Sequence, residues 1–286
     1  MFMSNRRRNL RENYFDKIDT EDKAYFLGFL WADGCNLLER NRINIHIHER
    51  DYELLKKLND LIYDQNYIKK LKPSTSIGHF INGKFCRNNG NSISLDINSK
   101  YMSSTLNKLG MIPRKSSTVQ FPSENVIPSY LIHHFIRGYN DGDGSIMKSH
   151  QKKVRFGIKL ASSKSFCISL KDLIYKKLGL KFMIYHENKY SVIVISGNYN
   201  SKIFCDWIYQ DATLYMERKH LKYIELCDNV KNLHRAKYKY IYLNKKNNLW
   251  IADVYLGNKK SIRLGCNFET ELDAYQFQQN WMNQKN

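Results

Sequence analysis

The chain has 286 residues, with 46 Lys and Arg against 27 Asp and Glu, a formal charge of +19 and 42% hydrophobic residues. That length holds two or three compact units, and the apolar content excludes wholesale disorder. A charge of +19 asks for a polyanionic partner, and nucleic acid is favoured over an anionic membrane because no basic amphipathic helix stands out.

Residues 1–20 form a basic, polar lead-in. No apolar stretch follows Arg6, Arg7 and Arg8, so a signal peptide is not expected. The most apolar run, Ala24 to Ala32, is too short to span a bilayer. Cys35, Cys86, Cys167, Cys205, Cys227 and Cys266 make no C-x-x-C pair, and histidines do not cluster around them. A zinc site or disulfide framework is therefore not expected, and a reducing compartment is. The expectation is a soluble, intracellular protein of a phage or bacterial cytoplasm, or of an organelle. Richness in Lys, Asn, Ile and Tyr fits an A/T-rich genome.

The main body, residues 21–235, repeats itself. L-N-D-L-I-Y (58–63) returns as L-K-D-L-I-Y (170–175). Before each copy lies an alternating stretch: I-N-I-H-I-H (43–48) and V-R-F-G-I-K-L (154–160). Period two predicts half-buried antiparallel strands, with Ile43, Ile45 and Ile47 inward and Asn44, His46 and His48 outward. In the second copy Val154, Phe156, Ile158 and Leu160 face inward, and Arg155 and Lys159 outward. S-I-S-L-D-I-N (92–98) is likewise matched by Y-S-V-I-V-I-S (190–196), and helical segments then end near Arg114-Lys115 and Arg218-Lys219. The predicted architecture is α+β: two αββαββα halves, 21–125 and 126–235, related by a pseudo-twofold axis. Each half presents one polar, basic sheet face.

Each half opens on a distinctive helix. F-L-G-F-L-W-A-D-G (26–34) and I-R-G-Y-N-D-G-D-G (136–144) both place Asp five residues after Gly and follow it with Gly. Gly28 and Ala32 share one helix face, as do Gly138 and Gly142, and such small residues let a second backbone approach. Helices packed through these faces bring Asp33 and Asp143 together at their C-terminal ends. Gly34 and Gly144 suit a left-handed helix cap there. An acid is disfavoured at a helix C-terminus, and two adjacent acids repel. A hard divalent cation reverses both effects, and a metal beside a phosphodiester activates water and stabilises the leaving oxygen. An Asp-Gly after an apolar helix is ordinarily only a turn; two matched copies point to a site.

With these motifs the chain resembles the LAGLIDADG homing endonucleases that carry two motifs on one chain, over residues 21–230. The 110 positions from Asp33 to Asp143, the repeated element order, L-G-M-I-P-R-K-S (109–116) and Y-M-E-R-K-H-L-K-Y (215–223) carry the likeness. The resemblance implies that the motif helices form the interface between halves and that Asp33 and Asp143, with the backbones of Gly34 and Gly144, bind Mg²⁺ (or Mn²⁺). It also implies that two saddle-shaped sheets lie in the major groove of a long double-stranded DNA target, and that a monomer cuts both strands to leave short 3′ overhangs. Asn44, His46, His48, Arg155 and Lys159 become groove-facing candidates, and Lys115 and Lys219 phosphate candidates. Trp31 and Asp141 occupy one motif position, and Arg137 and Asn140 make the second helix more polar, so an asymmetric interface is expected. Mobility of an intron is a natural context for such an enzyme.

Residues 238–286 read as a separate module. Three strand-like runs (238–243, 249–256 and 260–265) precede a helix that Thr270 and Asp273 would cap, with Ala274, Phe277 and Trp281 as its buried stripe. The pattern W-I-A-D-V-Y…I-R-L-G-C-N-F-E-T-E-L-D-A-Y resembles the AP2 DNA-binding domain. That implies a DNA-contacting sheet with Lys239, Lys245, Lys246 and Arg263 as candidates. Trp250 either stacks on DNA or packs between sheet and helix.

Other readings are a non-cleaving RNA maturase or transcription regulator on the same scaffold, a structural RNA-binding protein, and an intein. Both motif acids argue against the first, and the matched motifs against the second. The third lacks splicing blocks: the sequence starts with Met and ends Q-K-N without the preceding His.

Overall fold

The computed structural model describes residues 9–71, 79–81, 84–86, 91–113, 118–149, 154–231, 240–244, 246–257 and 260–284. Two compact units emerge, Met1–Leu226 and Cys227–Asn286. No described helix is long and apolar enough to cross a membrane.

The first unit is built round two helices, α1 (Glu21–Asp33) and α4 (Ile132–Asp143). Thr20 caps α1, its hydroxyl accepting from the Lys23 N–H at 3.4 Å, and Glu21 and Asp22 complement the helix dipole. Every residue from Ala24 to Trp31 is buried, so this central stretch of α1 is apolar all round and has no solvent face. The lead-in joins this core, because Phe15 and Ile18 are buried and the ring of Phe15 meets that of Phe26.

From α1 the chain passes into β1 (Gly34–Leu37), β2 (Arg42–His48), α2 (Tyr52–Ile62), β3 (Ile68–Lys70), the short strands β4 (His79–Ile81) and β5 (Lys84–Cys86), β6 (Ser92–Asn98) and α3 (Lys100–Leu109). From α4 it passes into β7 (Gly144–Ser149), β8 (Arg155–Ser162), α5 (Lys164–Leu178), β9 (Met183–His186), β10 (Ser191–Ser196) and α6 (Asn198–Ile208). The sheets are antiparallel, with orders β1-β2-β6-β3 and β7-β8-β10-β9. Both halves therefore follow one αββαββα path, the β4-β5 hairpin being an addition to the first. The repeated hexapeptides do the same work: Leu58 and Ile62 on α2, and Leu170 and Ile174 on α5, are all buried.

Strand alternation sets the inner faces. Ile43, Ile45 and Ile47 lie across from Ile97, Leu95 and Ile93, all buried. In the second sheet Ile158 lies across from Ile146 and Ile195, and Leu160 across from Ile193. A one-residue slip would turn each of these side chains to solvent, so burial fixes the register. One boundary differs from expectation. Arg218-Lys219 does not close a helix but lies in the first turn of α7 (Glu217–Lys231), because α6 already ends at Ile208 and a loop intervenes. Arg114 and Lys115 lie outside the described residues.

The second unit holds a three-stranded antiparallel sheet, β11 (Ile241–Asn244), β12 (Leu249–Gly257) and β13 (Lys260–Phe268), followed by α8 (Glu271–Asn283). Thr270 caps α8: its hydroxyl accepts from the Asp273 N–H at 3.1 Å and donates to the Asp273 carboxylate at 2.6 Å. Ile241, Ala252 and Ala274 form the core, with Trp250, Phe268 and Tyr275 packed against it. Trp250 thus takes the packing role. The helix stripe needs one correction: Phe277 is 43% exposed, and Gln278 is buried in its stead, donating to the Asp253 carbonyl at 2.6 Å. A polar residue can take that place because a strand carbonyl satisfies its amide.

Candidate active site at the paired helices

Side by side, α1 and α4 pack backbone against backbone. A Cβ added to Gly28 would overlap the Phe135 carbonyl oxygen, and one added to Gly138 would overlap the Tyr25 carbonyl oxygen. Tyr25 and Phe135 each lie three residues before their own glycine, so the two contacts exchange under a twofold rotation. Lower down, a Cβ on Gly142 would overlap the Ala32 methyl; the gap admits one methyl, and Ala32 supplies it. That same point lies 3.4 Å from the Asp33 carboxyl carbon. Asp33 therefore ends beside the residue that precedes Asp143.

Gly34 and Gly144 do not adopt the left-handed conformation expected of them. Their φ,ψ are −81°, 147° and −94°, 168°, because the chain leaves each helix straight into a strand. Their N–H groups donate to the carbonyls of Leu30 and Asn140. A Cβ would sit 2.6 Å from those same oxygens. Close approach, not backbone handedness, demands glycine here.

The surroundings of the two acids differ. Trp31 is buried, its indole N–H donating to the Gln120 carbonyl at 3.2 Å. At the matching position Asp141 is fully buried and accepts from the Tyr25 hydroxyl at 2.7 Å and the Met216 N–H at 2.8 Å. Burial raises its carboxyl above the usual range, partly offset by the Lys219 ammonium. Arg137, also fully buried, donates to the carbonyls of Leu214 and Ile208 and pairs with Glu21. Glu21 in turn accepts from the backbones of Thr213 and Leu214. This network ties the start of α1 to the α6–α7 loop.

Lys219 is the residue whose environment the sequence least revealed. It is 3% exposed, and its Nζ donates to the carbonyls of Asn140, Asp141 and Gly144 at 2.6–2.7 Å. It braces the negative end of α4 instead of offering its charge at the surface, which corrects its reading as a phosphate contact. Burial lowers its pKa to about 8 against the attraction of Asp141. The Arg-Lys pair was visible in sequence, but the loop that folds it under the helix end was not.

The outer sheet faces carry the remaining candidates of the first unit. His46 and His48 are exposed, and the imidazole Nδ1 of His48 accepts from the Arg50 N–H. Asn44 is on the same face but buried, its amide donating to Asp96. Asp96 also pairs with Arg42 at 2.6 Å and Lys69 at 3.3 Å. Although burial opposes it, the combined donors hold the Asp96 carboxyl below the usual range. Arg155 and Lys159 are exposed on β8. Lys115, Lys239 and Lys245 lie outside the described residues. In the second unit Lys246 is exposed in the turn before β12, and Arg263 pairs with Asp253 and donates to the Tyr242 hydroxyl. Among the described residues no three His, Cys, Asp or Glu side chains converge as a metal-binding cluster.

Residues 131–209 match the family model of a LAGLIDADG-like domain. The match runs from the residue before α4 to the residue after α6, the whole αββαββα half that carries Asp143. No curated protein matches the chain by sequence. Solved structures similar to it include the homing endonuclease I-WcaI bound to its DNA recognition sequence: 12% identity, TM-score 0.49, covering 73% of this chain and 90% of that one. The LAGLIDADG homing endonuclease I-LtrWI bound to target DNA shows 12% identity and a TM-score of 0.48, with coverages of 75% and 92%. The LAGLIDADG meganuclease I-AabMI bound to uncleaved DNA shows 12% identity and a TM-score of 0.46, with coverages of 72% and 90%.

One pH dependence follows from the buried network. His134, 6% exposed and with its Nδ1 2.7 Å from an Arg137 nitrogen, is pushed down to about 4, chiefly by burial and then by that guanidinium. A base with a lowered folded pKa binds fewer protons folded than unfolded, so acid favours unfolding. Its contribution is complete above pH ~6.5 and is lost as the pH falls towards 4. Between pH 7 and 5.5 this group should cost about 1 kcal/mol. Denaturant midpoints for wild type and His134→Gln across that range check it: the variant should show the shallower loss.

Proposed function

We propose that this protein is a site-specific, double-strand DNA homing endonuclease that hydrolyses one phosphodiester in each strand and leaves short 3′ overhangs. The observation that carries the reading is the meeting of two pseudo-symmetric helices whose ends place Asp33 beside the residue before Asp143. Two acids at matching positions about a pseudo-twofold axis suit the two antiparallel strands of a duplex. The charge of +19 suits the same partner.

A divalent cation fits this donor set. Two carboxylates at helix C-termini, with backbone oxygen and water, are the ligands a hard cation such as Mg²⁺ or Mn²⁺ takes. We assign Asp33 and Asp143 as the metal-binding acids. The Lys219 ammonium 2.7 Å from the Gly144 carbonyl repels a cation there, so of the two glycines Gly34 is the better backbone ligand. When bound, the metal supplies an activated water and charge neutralisation at the leaving oxygen. The chain's own part is to hold the acids in register through the glycine contacts, and to hold the end of α4 through Lys219. Asn44, His46, His48, Arg155 and Lys159 sit on the two outer sheet faces, and we assign them to the major groove.

Incubation of a randomised duplex library with the full chain and Mg²⁺ tests this reading. Cleavage at one sequence with 3′ overhangs, abolished by chelation, is expected. Specific binding without cleavage would instead favour a non-cleaving DNA-binding relative.

We assign residues 238–286 to a second, AP2-like DNA contact. A tethered second contact raises the effective concentration at the first without new chemistry. Removing residues 238–286 should therefore make the fall of affinity with salt shallower, by roughly one unit of log–log slope for each phosphate that the module neutralises. Binding titrations between 50 and 300 mM salt measure the slope, and an unchanged value would sink the assignment.

A further inference from the structure

The two sheets are alike in backbone and unlike in outer chemistry. Gly34 lies across from Ile45 and Gly144 across from Leu160, so the registers superpose Ile45 on Leu160 and, one strand further, Leu95 on Ile193. On the outer face of the first sheet, His46, Ser94 and Lys69 form one cross-strand row, and Asn44 and Asp96 lie across from each other next to it. The equivalent rows of the second sheet are Ala161, Val192 and Tyr185, and then Lys159, Val194 and Met183. Where the first half has donors, acceptors and charge, the second has, apart from Lys159 at the edge of one row, aliphatic and aromatic side chains. Met183 is 63% and Tyr185 54% exposed, and Val192 and Val194 are half-buried.

An apolar patch on a surface carrying a large positive charge needs a partner that is anionic outside and apolar within reach. A DNA major groove offers this at thymine, whose 5-methyl group projects between the phosphate rails. Arg155 and Lys159 share this sheet face and are exposed, supplying charge for the rails.

We propose that the two sheets read their half-sites by different chemistry: the first by hydrogen bonds and charge, the second by apolar contact of Val192, Val194, Met183 and Tyr185 with thymine methyl groups. This rests on the DNA endonuclease reading above. It specifies the substrate further, as a target with one half-site that is thymine-bearing in the major groove and one that is not so restricted.

The test is selection of the bound duplex from a randomised library without metal, followed by resynthesis with deoxyuridine for thymine in one half-site or the other. Deoxyuridine keeps every hydrogen-bonding group and removes only the methyl. Each buried methyl removed is expected to weaken binding about fourfold, so removing two or three gives tenfold or more, in one half-site alone. Val192→Thr with Val194→Thr keeps the side-chain shape and strand propensity but places a hydroxyl against the methyl. This variant should close the thymine/deoxyuridine gap while discrimination in the other half-site persists. Tyr185→Lys, which copies Lys69 at an exposed position, provides a second reading of the same gap.

Equal deoxyuridine effects in both half-sites, or a gap that the variants leave unchanged, overturn the proposal while the nuclease reading stands. A library that yields no specific duplex overturns the nuclease reading itself. Self-association abolished by the same variants, with DNA binding untouched, would show a chain–chain interface and also overturn the proposal.

Discussion

Asp33→Asn and Asp143→Asn are each expected to lower the rate of double-strand cleavage by about three powers of ten while leaving duplex binding within a few-fold of wild type. The amide keeps the shape of the carboxylate and removes its charge. A bound metal supplies several kcal/mol of transition-state stabilisation, and each 1.36 kcal/mol is tenfold in rate. In the proposed reading binding is carried by the sheet faces and by phosphate contacts, which neither substitution touches. The two acids are not equivalent. Asp33 lies against Gly142 and within the field of Lys219, whereas Asp143 is exposed and borders a cavity with Trp31, Tyr139 and Tyr190. Strand-resolved single-turnover assays should therefore show unequal residual nicking in the two variants. Wild-type cleavage by both would remove the acids from the chemistry altogether.

Gly28→Ala and Gly138→Ala are expected to destabilise the first unit by about 3 kcal/mol each, near the upper end of overpacking costs. In each case the new methyl meets a backbone carbonyl of the partner helix, which no rotamer change can move aside. The helices must separate, and the core on both sides of them loosens. Because the contacts exchange under the twofold relation, the two costs should agree within about 0.5 kcal/mol, and together they should fall short of additive, since separation is incurred once. A melting-point loss of roughly 6–12 °C is the corresponding observable. Gly179→Ala is the control: its φ is +66° and nothing lies within 4 Å, so only backbone strain of about 1 kcal/mol is expected. Equal small losses at all three glycines would show that α1 and α4 are not in backbone contact.

Much of this molecule could be read from one sequence because its signals are local and repeated. Alternation at 43–48 and 154–160 reports strand faces through the two-residue pleat, and the duplicated hexapeptide reports the same buried stripe on α2 and α5. The spacing of Gly28, Ala32 and Asp33, repeated at Gly138, Gly142 and Asp143, states which residues share a helix face. Tertiary structure decided whatever depends on the path the chain takes after an element and on partners distant in the sequence. Gly34 and Gly144 are required by a carbonyl four residues back, in a chain that turns into a strand instead of a left-handed cap. Lys219, a charge that reads as exposed, is buried because a loop carries it under the helix end, where carbonyl oxygens satisfy its ammonium. Asn44 reads as an outward strand residue, yet Asp96 on the neighbouring strand claims it. Periodicity says which way a side chain points; only the packed chain says what it meets there, because burial and pairing of a polar group are properties of the contact and not of the residue.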